Sequence, residues 1–178
     1  EAAAGIELDE DAVEQHAKAA FFSYSGPVCL PLNRQERKGP LLNFYSHNIR
    51  EGFHALYPLI RFRGCEQALE VAKNSIRTIQ ELWKPSGWDI ERIKSEFGLE
   101  AHVPESFIPG VARCIGPLVK IYRATSLSSA LDLALALNEK AVNEVYLEAG
   151  DYDEGRFGSH THSTTCVMSS LAQLADLT

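Results

Sequence analysis

The sequence predicts an all-α fold built from tandem antiparallel helix hairpins. Two segments, residues 56–62 and 115–121, both contain Pro-Leu followed by a β-branched and then a basic residue. The segments that follow them, residues 68–72 and 130–134, also resemble each other, so the period is about 60 residues. A weaker third copy begins at residues 169–174. Apolar side chains recur with helical spacing, and we find no alternating run long enough to build a sheet.

Composition sets broad limits on the kind of protein. The 178 residues are 45% hydrophobic and 23% charged, which suits one packed domain over residues 1–178. A net charge of −7 argues against a nucleic-acid binder. No apolar run approaches the roughly 20 residues of a membrane span, so we expect no membrane partner. The four cysteines lack Cys-x-x-Cys spacing, and as reduced, buried residues they slightly favour the cytoplasm. We expect no cofactor.

The first part of the chain is predicted to contain one helix and one long loop. Residues 9–22 form the helix, with Asp9 or Asp11 as its N-terminal cap. Residues 26–42 hold three prolines and two glycines, which is typical of a long loop.

The rest of the chain is predicted to form two complete hairpins and the start of a third, over residues 43–83, 105–148 and 160–178. Pro58 should kink the first helix, and Gly64 should cap its C-terminal end. Ser126 is the expected N-terminal cap of the last helix in the second hairpin. A connector over residues 84–104 includes a short amphipathic helix around residues 88–97. The unfinished third copy and the N-terminus without Met suggest a fragment of a larger barrel.

The connectors are informative because they should meet at one end of the array. Tight turns inside each hairpin make its helices antiparallel neighbours. The long segments 26–46, 84–104 and 148–160 are then expected at the same rim. Binding and catalytic groups often lie on loops held by a rigid scaffold. We therefore expect the functional site at this rim.

The densest group of polar side chains lies in residues 151–163. The candidate catalytic residues there are Asp151, Asp153, Glu154, His160 and His162, and the candidate substrate contacts are Tyr152 and Arg156. Paired carboxylates carry out glycoside hydrolysis, with a separation that determines the stereochemical outcome. Two alternatives stay open. The His-x-His pair could bind a metal, or the segment could be a solvated acidic turn in which Ser159 or Thr161 caps the next helix.

A second group of polar side chains surrounds the start of the first hairpin. His47 is a candidate acid or base, since histidine titrates near neutrality. Tyr45, Arg50 and Glu51 are candidate substrate contacts, although Arg50 and Glu51 could simply cap and pair within the helix. His54 lies deeper on the same face, and for it the sequence favours a core role.

Three further residues are candidates for substrate contacts. Arg34 and Arg37 could bind an anionic group in bidentate fashion, with an exposed basic loop as the alternative. Trp88 could stack on a sugar face, with core packing as the alternative.

These features together resemble the six-hairpin (α/α)6 toroids found among glycan-active enzymes. The resemblance covers residues 43–177 and rests on the hairpin repeat, the Pro-Leu-(Ile/Val)-(Arg/Lys) segments and the Gly-Ser-His-Thr-His sequence at residues 158–162. It implies a cleft formed by the loops that lead into the inner helices. Members hydrolyse glycosidic bonds with carboxylates, cleave uronic-acid polysaccharides by elimination, or epimerise sugars. The chain spans about two and a half such hairpins, so the rest of the barrel would come from further residues, another chain or self-association.

The leading functional hypothesis is a glycoside hydrolase that acts on an oligo- or polysaccharide. The alternatives are a polysaccharide lyase or sugar epimerase on the same fold, and an α-solenoid that binds other proteins. Solenoid repeats are usually shorter, with short connectors on both edges. A metal-dependent hydrolase using the His-x-His pair is a third alternative.

Overall fold

The computed structural model describes residues 5, 7–102, 107–146, 149–154 and 160–178. Several predictions fall outside these ranges. They concern Arg156, the cap at Ser159, the first residues of the Gly-Ser-His-Thr-His sequence, and the expected start of the second hairpin at residues 105–106.

The described residues are mainly helical, which confirms the all-α prediction in its coarser form, as a mainly-α fold. The α-helices are α1 (Glu10–Ser23), α2 (Asn48–Arg63), α3 (Glu66–Leu82), α4 (Ile90–Ser95), α5 (Ile115–Thr125), α6 (Ser128–Lys140) and α7 (Thr161–Ala175). A 3₁₀ helix, Val111–Cys114, leads directly into α5, and a π-helix, Ala141–Val145, continues α6.

The prediction that the chain builds no sheet was wrong. Strands β1 (Leu32–Arg34), β2 (Leu41–Tyr45) and β5 (Glu100–His102) form a sheet in the order β1-β2-β5, and β3 (Trp83–Lys84) pairs with β4 (Gly87–Trp88). Each strand has two to five residues, too few for an alternating pattern to stand out. The predicted loop at residues 26–42 therefore contains β1 and the start of β2, and the first hairpin begins with a strand.

The turns inside the two hairpins have the same backbone geometry. Gly64 ends α2 with φ 58° and ψ 31°, and Cys65 follows with φ −71° and ψ 103°. Ser126 ends α5 with φ 58° and ψ 24°, and Leu127 follows with φ −68° and ψ 102°. The structural repeat is therefore exact at the turn. Gly64 is the predicted cap, whereas Ser126 ends α5 and does not start α6 as predicted.

The second hairpin starts its first helix later than predicted. The sequence indicated a helix from residue 105, but residues 107–110 form turns and the 3₁₀ helix precedes α5. Pro109 and Gly110 lie in this stretch, and both residue types disfavour the interior of an α-helix.

Helices α2, α5 and α7 form a row and run in the same direction. Near the start of α2, Glu51 contacts Arg113 of the 3₁₀ helix that precedes α5. Further along α2, Tyr57 lies beside Lys120 of α5. Further along the row, Gly116 of α5 lies against Ser170 of α7, and Arg123 pairs with Asp176 just after α7. Helices α3 and α6, which complete the two hairpins, contact each other. The hairpins thus stack side by side with equivalent helices adjacent.

Helix α1 packs against α2 in the opposite direction. Arg63 at the end of α2 pairs with Glu10 at the start of α1, and His16 Nε2 lies 2.9 Å from the Ala55 carbonyl oxygen. Asp9 caps α1 through a 3.1 Å bond from the Ala12 amide, as predicted. Buried apolar side chains from both hairpins form one continuous core.

Among the described helices, none has the length and hydrophobicity that a membrane span requires.

Candidate functional site

A polar groove runs along the row of parallel helices. Its volume is about 350 Å³, within the range of small-molecule sites. The lining residues come from α2 (Arg50, His54), α5 (Gly116, Pro117, Lys120) and α7 (His162, Thr165, Cys166, Ser169, Ser170, Gln173). Four of these side chains carry, or can carry, positive charge, and none of these described lining residues has a carboxylate. The groove is therefore suited to an anionic ligand.

Two arginines of this region share one carboxylate at the start of α2. Arg50 Nη1 donates to Glu51 Oε1 at 2.7 Å, and Arg113 Nη2 donates to the same oxygen at 2.9 Å. The three side chains carry a net charge of about +1, because one carboxylate faces two guanidinium groups that stay protonated at any relevant pH. Arg50 keeps its position in the groove lining despite this pairing.

His54 lies at the centre of this positive field. Burial lowers its pKa below the ordinary value, and the charges of Arg50 and Lys120 lower it further, while Glu51 opposes them. These effects favour the neutral imidazole, which has a lone pair available to accept a proton.

The side of α7 that faces the groove carries small and polar residues. Thr165, Ser169 and Gln173 recur at a spacing of four, so they lie on one face of the helix. Gly116 brings α5 close to this helix, since a Cβ at that position would lie 2.8 Å from Ser170 Oγ. The thiol of Cys166 lies beside the guanidinium of Arg50. Close helix packing thus places hydroxyl and amide groups next to the cationic side chains.

The two predicted histidines of α7 have different positions. His162 is exposed and lines the groove. His160 is the N-terminal cap of α7: its Nδ1 accepts the Ser163 amide at 3.2 Å and lies 2.9 Å from Ser163 Oγ. The ring centroids of the two histidines are 6.0 Å apart. His160 therefore provides the cap that the sequence assigned to Ser159 or Thr161.

The predicted acidic residues lie outside the groove lining. Asp151, Asp153 and Glu154 are exposed. Tyr152 between them stacks on Tyr146, with ring centroids 5.7 Å apart, and Tyr146 donates to the Thr164 carbonyl at 3.0 Å. The tyrosine pair thus attaches this loop to the first turn of α7, and the three carboxylates lie on its exposed side.

The remaining predicted site residues belong to other parts of the surface. Arg34 donates to the Gly39 carbonyl at 2.6 Å and lies over the Phe22 ring at 4.6 Å, so it organises its own loop. Arg37 is exposed in the same loop. Trp88 packs edge-on against Phe44 at 4.9 Å, in keeping with core packing.

Tyr45 and His47 lie just before α2, with ring centroids 5.5 Å apart. Burial lowers the pKa of His47, and the positive charge of Arg113 lowers it further. His47 is not among the lining residues of the groove.

The predicted rim is present in part. Segments 26–46 and 84–104 meet, because β2 pairs with β5 in parallel and Gln35 Nε2 donates to Glu100 Oε1 at 2.6 Å. Residues 149–154 contact the start of α7 through the tyrosine pair. The structure therefore brings two of the connectors together, and the described part of the third connector contacts the start of α7.

Sequence reasoning identified Arg50 and His162 but missed most of the groove. The omitted residues with polar side chains are His54, Lys120, Thr165, Cys166, Ser169, Ser170 and Gln173. Two signals could have found them. Lys120 repeats Arg61 in the two Pro-Leu segments, and the spacing of four along residues 165–173 marks a polar stripe on a helix expected to face its neighbours.

Among the described residues, no group of three or more His, Cys, Asp or Glu side chains is arranged to hold a metal ion. Comparison with known proteins adds no relative: no family model, no curated protein and no solved structure matches this chain.

Proposed function

We propose that this chain forms part of a carbohydrate-active (α/α) toroid and that its groove binds a sugar bearing a carboxylate group. The observation that carries the proposal is the lining of the groove. Arg50, His54, Lys120 and His162 surround it, and no carboxylate lies among its described lining residues.

The cationic side chains suit the acidic group of such a sugar. Hydrogen bonds from Arg and Lys to a carboxylate are short and strong because both partners are charged. The hydroxyl and amide groups of Thr165, Ser169 and Gln173 suit the sugar hydroxyls. The volume of about 350 Å³ would hold one or two sugar rings in contact with these helices.

The same groups support proton abstraction from the carbon next to the carboxylate. Neutral His54 would take this proton, and Arg50 and Lys120 would stabilise the charge that develops on the carboxylate. The electron pair of the broken C–H bond would form a C=C bond as the glycosidic oxygen leaves the β-carbon. His162 would supply a proton to that oxygen. Atoms and charges balance without a cofactor, and proton return to the opposite face would give epimerisation instead.

The packing of the helices supports the toroid part of the proposal. In a toroid of hairpins, equivalent inner helices lie side by side and line a central funnel. Helices α2, α5 and α7 run parallel and carry the groove, while α3 and α6 contact each other in the second row. A polar face along the inner row favours a substrate funnel over an α-solenoid that binds other proteins.

Hydrolysis by Asp151, Asp153 and Glu154 stays a prediction. These side chains are exposed on the loop before α7 and do not line the groove. They could meet a bound glycan only where it extends beyond the groove, whereas His54 and His162 line the groove itself.

The proposal is tested by titrating the protein with a uronic-acid trisaccharide and with the neutral trisaccharide in which each carboxylate is reduced to hydroxymethyl. We expect binding of the acidic ligand and at least tenfold weaker binding of the neutral one. K120M should weaken acidic-ligand binding by about tenfold, the loss of one charge-assisted hydrogen bond. K38M removes an exposed lysine outside the groove and is the matched control.

Elimination is tested separately by ultraviolet absorbance, since the product has a C=C bond conjugated to its carboxylate. H54Q should abolish this signal and leave acidic-ligand affinity within a few-fold of wild type. Equal binding of the two trisaccharides, or equal effects of K120M and K38M, would contradict the acidic-sugar assignment.

A further inference from the structure

We infer that buried Arg113 is a positioning residue for the groove, acting through Glu51 to hold the guanidinium of Arg50 in place. Only the ligand-binding test of this inference rests on the proposed function. The contacts that link Arg113, Glu51 and Arg50 do not depend on it.

The Arg50–Glu51 pair has an unusual geometry for adjacent residues of a helix. Neighbouring residues on a helix project in different directions and do not normally face each other. Here Arg50 Nη1 nevertheless donates to Glu51 Oε1 at 2.7 Å. The neighbouring chain segment provides the reason, because Arg113 donates to the same oxygen at 2.9 Å and fixes the Glu51 carboxylate between α2 and the 3₁₀ helix.

Arg113 and Glu51 differ in burial. The side chain of Arg113 is only 10% exposed, whereas that of Glu51 is 52% exposed. Exposed ion pairs hold their side chains weakly, since water and salt compete for both charges. A buried guanidinium has a strong preference for a nearby carboxylate, because an unpaired charge in the interior is costly. The fixed position of Arg113 thereby restrains the Glu51 carboxylate, and Glu51 in turn restrains the Arg50 guanidinium.

Arg50 has one hydrogen bond to a charged side chain among the described residues, from Nη1 to Glu51, while its Nε is buried without a partner and the Cys166 thiol lies beside the guanidinium. Without the Glu51 carboxylate the guanidinium would lose its strongest restraint, and other rotamers would become accessible. A ligand carboxylate needs the guanidinium in one orientation for a bidentate contact. Arg113 would thus set ligand affinity without touching the ligand.

The test has one readout that needs no ligand. In the arginine Nε–H region of the ¹H–¹⁵N spectrum, Arg50 should behave as a rigid group in wild type. In R113M its heteronuclear NOE should fall towards that of exposed Arg37. R92M removes an arginine that pairs with Glu96 on α4 and is the matched control, with no expected effect on Arg50. An Arg50 signal that stays rigid in R113M would overturn the inference.

The second readout is a double-mutant cycle with the uronic-acid trisaccharide. R113M should weaken binding about five- to tenfold in wild type and have no further effect in R50M. Equal losses in both backgrounds would show that Arg113 acts on the fold generally and would also overturn the inference. If R113M fails to fold, E51Q keeps the side chain's shape and should release Arg50 in the same way. If wild type binds no acidic sugar, the proposed function fails, while the ligand-free signal still decides the positioning role.

Discussion

The two hairpins have identical turns, but their first helices are used differently. Gly64–Cys65 and Ser126–Leu127 have the same dihedral angles within a few degrees. Helix α2 is continuous through Pro58 and supplies Arg50 and His54 to the groove. Helix α5 starts only two residues before Pro117, and the chain before it forms a 3₁₀ helix.

The difference shows that the repeat fixes the scaffold and leaves the site free to vary. Lys120, a groove residue, repeats Arg61, which is exposed and outside the groove lining. His54 corresponds in the Pro-Leu alignment to Arg113, which is buried and pairs with Glu51. Equivalent positions thus carry different roles, and the groove exists because three non-identical helices meet.

The strongest test of this comparison concerns a glycine in each first helix. A Cβ on Gly52 would lie 2.3 Å from Tyr24 Oη and 2.9 Å from Pro31 Cβ, whereas on Gly116 it would meet Ser170 Oγ at 2.8 Å. G52A should lower the free energy of unfolding by about 2–3 kcal/mol, because a proline ring and a buried tyrosine cannot move aside. G116A should cost about 1 kcal/mol, since a serine hydroxyl can rotate.

Urea unfolding of both variants measures these effects. S170A should recover most of the G116A loss, and Y24F only part of the G52A loss because Pro31 remains. Equal costs for the two alanine variants would contradict the difference in packing.

Alanine substitutions of the two prolines should change the free energy of unfolding in opposite directions. Pro58 lies in the interior of α2 and leaves the His54 carbonyl without its helical donor, while Pro117 is the third residue of α5 and interrupts no hydrogen bond between residues of that helix. P58A should stabilise the protein by about 1–2 kcal/mol through the restored hydrogen bond. P117A should destabilise the protein by about 0.5 kcal/mol, because alanine gives the unfolded chain more conformational entropy than proline does. Thermal unfolding of the two variants side by side checks the signs, and stabilisation by P117A would be the contrary result.

The two turn residues offer a matched exchange. Both have φ 58°, but only Gly64 lacks the side chain that makes this conformation costly. G64A should destabilise by about 1 kcal/mol, and S126G should stabilise by about 0.5–1 kcal/mol. Chemical denaturation should show the two shifts in opposite directions. A Cβ at residue 64 has no atom within 4 Å, so steric contact cannot account for the loss.

The smallest expected effect is a pH dependence of stability from His54. Its pKa is lower in the folded state than in the unfolded chain, where histidine has a pKa of about 6.5. Below that value the unfolded state binds more protons, so stability should fall as the pH drops from about 7 to 5. H54Q should lose less stability over this interval. If the free energy of unfolding changes with pH by the same amount in wild type and H54Q, His54 is not the cause of the pH dependence.

Much of the helical scaffold was predictable because its signals are local. The cap at Asp9, the turn at Gly64 and the helix pair that follows each Pro-Leu segment depend on residues close in sequence. The strands at residues 32–34 and 100–102 were not predictable in this way, since three residues are too few to show an alternating pattern, and residues 100–102 pair with a strand more than 50 residues earlier in the chain. The prediction for Ser126 was wrong because serine is a common N-terminal cap. Here Ser126 instead ends α5 in the same left-handed backbone conformation as Gly64.

The site was less predictable than the scaffold. Loops were expected to carry it, and the acidic loop before α7 offered the densest cluster of charged residues. The groove instead uses Lys120 and the polar stripe of α7, whose side chains meet only because three helices run parallel. His54 was assigned to the core on helical spacing alone, although its neighbours Arg50 and Lys120 give it a different environment.

The parallel course of α2, α5 and α7 also has an electrostatic consequence. Each helix carries about half a positive charge at its N-terminal end from aligned peptide dipoles. Because the helices point the same way, these partial charges gather at one end of the row, beside Arg50 and His162. The dipoles therefore add positive potential in the groove beside Arg50, within a chain whose net charge is −7. Association with an anion should slow as salt is added, although the protein as a whole repels negative charge.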